Sequence, residues 1–302
     1  MKSVRLRASW TSDEEILKRI LLQFKTSDED VSGINFVFDD SYDIIVFFGY
    51  ITGDIKPGTK AYVFPQEPSW SGGHPRYFSE HNGLTVFGYD KNLYSNPNVV
   101  TESMSYMFYG GRGPTSEGYD HWTYDFISNY NFIKTKNIGC LISTLGTDDS
   151  EKPPGCIYKK RIKLVDHLIE NASFIDIFGR NGDKPNLKGD ALYKFDGLKD
   201  YKFSICCENS SEKNYISEKF FDCIITNTVP IYYGCKNVED IVPKNSFISI
   251  DVDDLDSTLK KLQYVSDNCD SLYNEMLPNV IKTKNMYFND FNILKTIKKL
   301  CN

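Results

Sequence analysis

The stretch from Tyr201 to Asp251, YKFSICCENSSEKNYISEKFFDCIITNTVPIYYGCKNVEDIVPKNSFISID, constrains the fold of this chain more than any other. Tyr201 to Cys207 is a run of apolar, aromatic and small residues, which reads as a buried strand. It stops at Glu208-Asn209, and the polar loop Ser210 to Asn214 follows. A helix is expected from about Tyr215 to Ile225, capped by Asn214 or Ser217. Val229 to Tyr233 then reads as a second buried strand, closed by Gly234. Strand, loop, helix and strand in that order make a βαβ crossover of a parallel sheet.

Such a unit sets the end of its first strand beside the start of its helix, the crevice where open α/β sheets bind ligands. A helix N-terminus there favours phosphate. Glu208, Asn209, Tyr215, Glu218 and Lys219 fall at that point. Four residues separate Tyr215 from Lys219, so on a helix they share a face, with Glu218 beside them. A tyrosine, a carboxylate and a lysine together suit a sugar ring, its hydroxyls and a diphosphate. The plainer alternative is a solvated helix start carrying a surface Glu-Lys pair.

A resemblance separates the two. Tyr201-Lys202-Phe203, Glu208-Asn209-Ser210, Tyr215-Ile216-Ser217-Glu218-Lys219, Thr228-Val229-Pro230 and Pro243 to Ile248 occur in order. Together they resemble the donor-binding signature of glycosyltransferase family 10, the α1,3/α1,4-fucosyltransferases. Cys207 departs from it, standing where that family usually has Phe before the Glu-Asn pair. The resemblance implies a GT-B-like α/β fold, two Rossmann-like domains facing each other across a cleft. It also implies GDP-fucose as donor substrate, with no cofactor required and a divalent metal at most stimulatory.

A chain of 302 residues is more than one core usually fills, so two domains are expected. A net charge of −6 argues against a nucleic-acid backbone as main partner. The first residues, MKSVRLRASWTSDEE, have no apolar signal-peptide core, and no run of apolar residues is long enough to span a membrane. A cytoplasmic protein is therefore expected, like the soluble microbial or viral members of the family rather than its anchored Golgi members. The eight cysteines lack metal-ligand spacing and are expected to be free buried thiols. The sequons at Asn171 and Asn209 are read as chance matches.

Taken in order, Val4 to Ala8 reads as a first strand, and Ser12 with the acidic residues after it starts a helix to about Phe24. Ile34 to Phe38, Tyr42 to Phe48 and Lys60 to Phe64 read as further strands of an α/β domain. Glu67 follows the last of these directly, held stiff by Pro68, where a carboxylate projects into the crevice. The family carries a general-base glutamate after a comparable strand, and Glu67 is its match. His74, His81 and His121 show no metal-binding spacing, and the Gly-rich turn after Tyr109 lacks the lysine of a P-loop.

Asn137 to Thr144 reads as a strand, and the polar loop Leu145 to Gly155 as the domain boundary. Tyr158 to Asn171 follows as an amphipathic helix with Ile162, Val165, Leu168 and Ile169 on its apolar face. By resemblance, Arg161 near its start contacts the donor pyrophosphate. Phe174 to Phe178 and Ser246 to Ile250 read as strands, and Gly179 to Gly182 as a turn containing Arg180. Asp254 to Asp267, Leu272 to Met276 and Phe288 to Leu300 read as helices. The expected organisation is an acceptor-side domain over 1–150, a donor domain over 151–285, and a C-terminal helix over 286–302 returning to the first domain.

The chemistry implied is an inverting fucosyl transfer to a glycan acceptor. Lys219, Arg161 and the helix N-terminus would stabilise charge growing on the diphosphate. Glu67 would take the acceptor proton, and Glu218 and Asn209 would meet the sugar. Three alternatives stay open on the sequence: another nucleotide sugar on the same fold, a non-catalytic sugar-nucleotide or glycan binder, and a metal-dependent GT-A enzyme. The last would use Asp251-Val-Asp253, Asp39-Asp40 or Asp148-Asp149.

Overall fold

In a computed structural model of the chain, all residues are described except 72–73, 82, 111, 116–117, 143–154, 180–186, 190 and 192. The first part runs β1 (Lys2–Ala8), α1 (Asp13–Phe24), β2 (Ile34–Phe36), β3 (Ile44–Phe48), β4 (Lys60–Phe64), α2 (His74–Ser79), β5 (Leu84–Gly88) and β6 (Val100–Glu102). A hairpin of β7 (Arg112–Thr115) and β8 (Gly118–His121) and a short α3 (Tyr124–Asn129) follow. The second part runs β9 (Lys136–Leu141), α4 (Tyr158–Asn171), β10 (Asp176–Phe178), β11 (Tyr201–Cys207), α5 (Glu218–Ile225), β12 (Val229–Tyr233), α6 (Val238–Ile241) and β13 (Ile248–Ser249). Three helices close the chain: α7 (Leu255–Asp267), α8 (Cys269–Asn289) and α9 (Ile293–Leu300).

The strands form two parallel sheets, ordered β2-β1-β3-β4-β5-β6 and β10-β9-β11-β12-β13. β3 shows why the first sheet is buried on both faces. All five residues of its IIVFF are enclosed, with Ile44, Val46 and Phe48 in the main core and Ile45 and Phe47 in a second core behind the sheet. The main core is continuous from Val4 in β1 through both sheets to Ile297 in α9. No helix among the described residues is long and apolar enough to cross a membrane.

Several expectations need correction. The domain boundary lies earlier than 150, because β9 pairs with β10 and β11 in the second sheet. The chain therefore crosses between α3 and β9. The last helix starts at Ile293, since α8 runs unbroken past Pro278 to Asn289 and Asn292 caps a new helix with its side chain. In α4 the buried face carries Arg161 and Leu164 with Val165, Leu168 and Ile169, while Ile162 sits at its margin. Strands β2, β3, β10 and β13 are shorter than expected, and β9 runs from Lys136 to Leu141. The polar loop at 145–154 and the turn at 180–182 lie outside the described residues, as does Asp148-Asp149.

Candidate active site

The crevice opens where the C-terminal ends of the two sheets meet. On the second sheet, β11 ends at Cys207 and is followed by Glu208, which is wholly enclosed. Its carboxylate accepts the Ser217 N–H at 2.7 Å, the Ser217 hydroxyl, and the Tyr232 hydroxyl at 3.3 Å. Burial pushes the Glu208 carboxyl above its ordinary range, and Lys219 pulls the other way. Glu208 thus fixes the residue that caps α5, because Ser217 in turn accepts from the Lys219 N–H.

The helix begins at Glu218, so Tyr215 precedes it and does not share a face with Lys219. The chain turns at Asn214, whose φ is +59°, and the Tyr215 ring is buried edge-on against Tyr89 at 5.3 Å between centroids. Polar groups of the first domain hold this approach segment in place. Ser105 accepts the Ile216 N–H at 2.9 Å and donates to the Ile216 carbonyl, and Asn214 Nδ2 donates to the Tyr89 carbonyl at 2.6 Å.

Lys219 Nζ reaches Glu218 Oε1 and Ser217 Oγ, both at 3.1 Å, and stands 3.9 Å from Glu208 Oε2. Burial alone would lower its pKa, but the two glutamates raise it, so the ammonium stays charged. Burial acts to raise the Glu218 carboxyl, yet Lys219 and Lys194 hold it down to about 2. A third of the Glu218 side chain remains open. The plainer alternative of a solvated Glu-Lys pair does not describe this geometry.

Arg161, nearly enclosed, donates to Asn209 Oδ1 at 2.6 Å and lies over the Tyr158 ring. The same strand end is tied to α4 through the Ile157 N–H, which donates to the Asn209 carbonyl at 3.1 Å.

Across the crevice, β4 delivers Glu67, whose side chain is exposed. Its loop is fixed from below by Gln66 Nε2, which donates to the Tyr106 carbonyl at 3.0 Å, and by the Tyr89 hydroxyl, which donates to the Pro65 carbonyl at 2.9 Å. Glu212 joins the loop to the second domain by accepting the Ser69 N–H at 3.1 Å and the Ser210 hydroxyl at 2.5 Å. Partial desolvation raises the Glu67 carboxyl above its ordinary value, with Lys219 opposing and Glu218 adding to the rise. Burial raises the Tyr158 phenol, with Arg161 and Lys219 opposing and Glu67 adding to the rise. Glu67 thus lies within electrostatic reach of Glu218 and Lys219 across the crevice.

Sequence reading missed Lys194 and Asp222. Lys194 lies 3.8 Å from Glu218 Oε1 and in contact with the enclosed Asp222, which accepts the Gly110 N–H of the first domain at 2.6 Å. The signal was a carboxylate inside the apolar run FFDCII, where burial demands a partner. Two of the three candidate metal pairs fall among the described residues, and each has an aspartate paired with a basic side chain. Asp253 is bound by Lys160 at 2.6 Å, and Asp40 by Arg5 at 2.8 Å just before β3, at the opposite end of its sheet from Glu67. Among the described residues no three His, Cys, Asp or Glu side chains are grouped to hold a metal ion.

Comparison with known proteins gives this geometry a context. A model of the glycosyltransferase family 10 (fucosyltransferase) C-terminal region matches residues 133–292. A putative fucosyltransferase-like protein of Arabidopsis thaliana is 33% identical over 119 residues, 39% of this chain and 22% of that protein. Alpha-(1,3)-fucosyltransferase B of Drosophila melanogaster is 30% identical over 189 residues, 58% of this chain and 39% of that one. The chain thus spans well under half the length of these relatives. A crystal structure of an α1,3-fucosyltransferase with GDP-fucose superposes with a TM-score of 0.53 at 16% identity, over 91% of this chain and 81% of that one. Its likeness is one of fold, the GT-B pairing of two parallel-sheet α/β domains.

Proposed function

Because the chain belongs to glycosyltransferase family 10, we propose that it transfers L-fucose from GDP-fucose to a hydroxyl of a glycan acceptor, with inversion at the sugar carbon. The observation that supports this most is the partly buried Glu218-Lys219 pair at the start of α5, with Arg161 held at the adjoining strand end and Glu67 of the other sheet within their electrostatic reach. Breaking the bond to the diphosphate leaves negative charge on the leaving group and a partly positive ring. Lys219 and Arg161 are both cationic and both in the crevice, and they stabilise the first. Glu218, ionised and partly open, faces the second or its hydroxyls, with Asn209 beside it. Glu67 removes the proton of the acceptor hydroxyl, and its raised pKa makes it a better base than an ordinary surface glutamate. In this reading Glu208 and Tyr215 act indirectly, by holding the segment that presents Glu218 and Lys219.

The test is donor binding and hydrolysis with GDP-fucose, GDP-mannose, UDP-galactose and UDP-xylose, with and without EDTA. Selective use of GDP-fucose is expected. Lys219→Ala should weaken donor binding by roughly ten- to a hundredfold, the range for a hydrogen bond to a charged group. Glu67→Gln should lower turnover by about 10²- to 10⁴-fold with donor affinity kept. It should also abolish the acidic limb of the pH profile, because the base works only above its pKa and that pKa is raised. Selectivity for a UDP-sugar, or turnover lost in EDTA, would overturn the assignment.

A further inference from the structure

The first βα turn of the N-terminal sheet carries an exposed tryptophan that the chemistry above does not use. β1 ends at Ala8, and a bridge between Ala8 and Thr11 closes a tight turn with Ser9 and Trp10 at its tip. Trp10 is 47% exposed. Single exposed aromatics are ordinary on protein surfaces, so its position must decide.

Ala8 pairs with Phe48 in β3, and Phe48 with Phe64 in β4. The pairing runs past the strand ends, since the Ser9 N–H donates to the Phe48 carbonyl at 3.2 Å and the Gly49 N–H to the Phe64 carbonyl at 3.0 Å. Trp10, Tyr50 and Gln66 each lie two residues beyond these partners, in neighbouring turns at the C-terminal end of the sheet. Adjacent strands are about 4.8 Å apart, which puts the Trp10 turn about 10 Å from the Glu67 loop.

Tyr50 follows β3, the strand between β1 and β4. Its hydroxyl donates to the Ser71 carbonyl at 3.3 Å, and its phenol feels the Glu67 charge, although burial is the larger cause of its raised pKa. The indole is backed rather than free-hanging. Gly49 takes a φ of +78°, and a Cβ there would lie 3.1 Å from Trp10 Cζ3 and 2.6 Å from Ser9 Oγ. Phe108 meets the indole edge-on at 6.3 Å between centroids. The ring is thus supported by Gly49 and Phe108, while nearly half of the residue stays open to solvent.

We propose that Trp10 is the stacking platform of the acceptor subsite, taking the apolar face of a pyranose ring in the acceptor glycan one or two residues from the hydroxyl that Glu67 deprotonates. This rests on the fucosyltransferase reading above. Sugar rings present C–H faces to aromatic planes, and a large rigid side chain supplies that contact at low entropic cost. Tyr50 closes the side of the subsite next to the base.

The experiment reads two arms on wild type, Trp10→Ala and Trp10→Phe. In the first, fluorescently labelled protein is applied with GDP to a printed array of plant, animal and microbial glycans, and the strongest binder is titrated. In the second, hydrolysis of GDP-fucose by water is followed with no glycan present. Trp10→Ala should weaken glycan binding about tenfold, with Trp10→Phe recovering most of the loss. Both variants should hydrolyse GDP-fucose within about twofold of wild type, the room allowed for a residue outside the donor site. Unchanged glycan affinity in Trp10→Ala overturns the platform, as does a wild type that binds no glycan on the array. A parallel fall in donor hydrolysis also overturns it, by showing a structural role. Failure of wild type to hydrolyse or bind GDP-fucose instead overturns the donor reading, and the glycan arm still judges Trp10 by itself.

Discussion

Gly234 follows β12 directly beneath Glu208, and a Cβ added there would lie 2.3 Å from Glu208 Cγ, 2.7 Å from its Cβ and 2.7 Å from the Tyr232 hydroxyl. None of those atoms is a flexible tip, because Glu208 is enclosed and held by Ser217 and Tyr232. Gly234→Ala should therefore destabilise the protein by about 1–3 kcal/mol, the cost of overpacking a filled core. It should also weaken GDP binding, since displaced Glu208 no longer sets Ser217 and the start of α5. Thermal melts and calorimetric titration with GDP measure the two effects, and a stability loss without an affinity loss would dissociate Glu208 from the site. The identity of the charged residues here was legible in the sequence, because Glu208-Asn209 and Glu218-Lys219 stand at strand and helix ends. Their division of labour was not. Whether a glutamate touches a ligand or caps a helix depends on which way its oxygens turn, and that follows from tertiary neighbours such as Tyr232.

At the scale of elements, β11 and β12 were readable to the residue because each is an apolar run bounded by polar or small residues, and α4 because its apolar residues recur at helical spacing. Of the two caps offered for α5, Ser217 is the one used, so the helix starts at Glu218 rather than about Tyr215. Ser105, Asn214 and Tyr89 pull the segment before it into an irregular path against the first domain. Tyr89 serves both sides of the crevice. Its ring and carbonyl hold the segment before α5, while its hydroxyl donates to the carbonyls of Pro65 at 2.9 Å and Glu67 at 3.2 Å. Tyr89→Phe separates these functions. It should lower turnover by about tenfold by leaving two carbonyls of the Glu67 loop short of a donor, worth about 1–3 kcal/mol of loop order. Donor affinity should stay within about twofold, because the ring contact with Tyr215 survives. Steady-state kinetics with a donor titration checks this, and equal losses in both would show that Tyr89 merely supports the fold.

For the whole molecule, two sheets suggest two units that unfold independently, which is the usual behaviour of multidomain chains. The contacts argue otherwise. One core runs through both sheets, and α8 stacks Tyr287 on Phe221 of α5 at 4.3 Å while the Tyr287 hydroxyl donates to the Met107 carbonyl of the first domain at 2.8 Å. The chain then returns to its beginning. Asn292 Nδ2 donates to the Phe24 carbonyl at the end of α1 at 2.7 Å, its Oδ1 caps α9, and Ile293, Leu294 and Ile297 are buried. Each of those aliphatic side chains contributes about 1.5–3 kcal/mol, so together they rival the net stability of about 5–15 kcal/mol of a typical protein. Scanning calorimetry should accordingly show a single transition whose van't Hoff and calorimetric enthalpies agree. Asn292→Ala, which removes a cap and two buried bonds, should move that transition down as one peak by several degrees, and deletion of residues 290–302 should leave no cooperative transition at all. A split endotherm in Asn292→Ala, with one half unmoved, would mean that α9 stabilises the first sheet alone and that the crevice lies between two independently stable bodies.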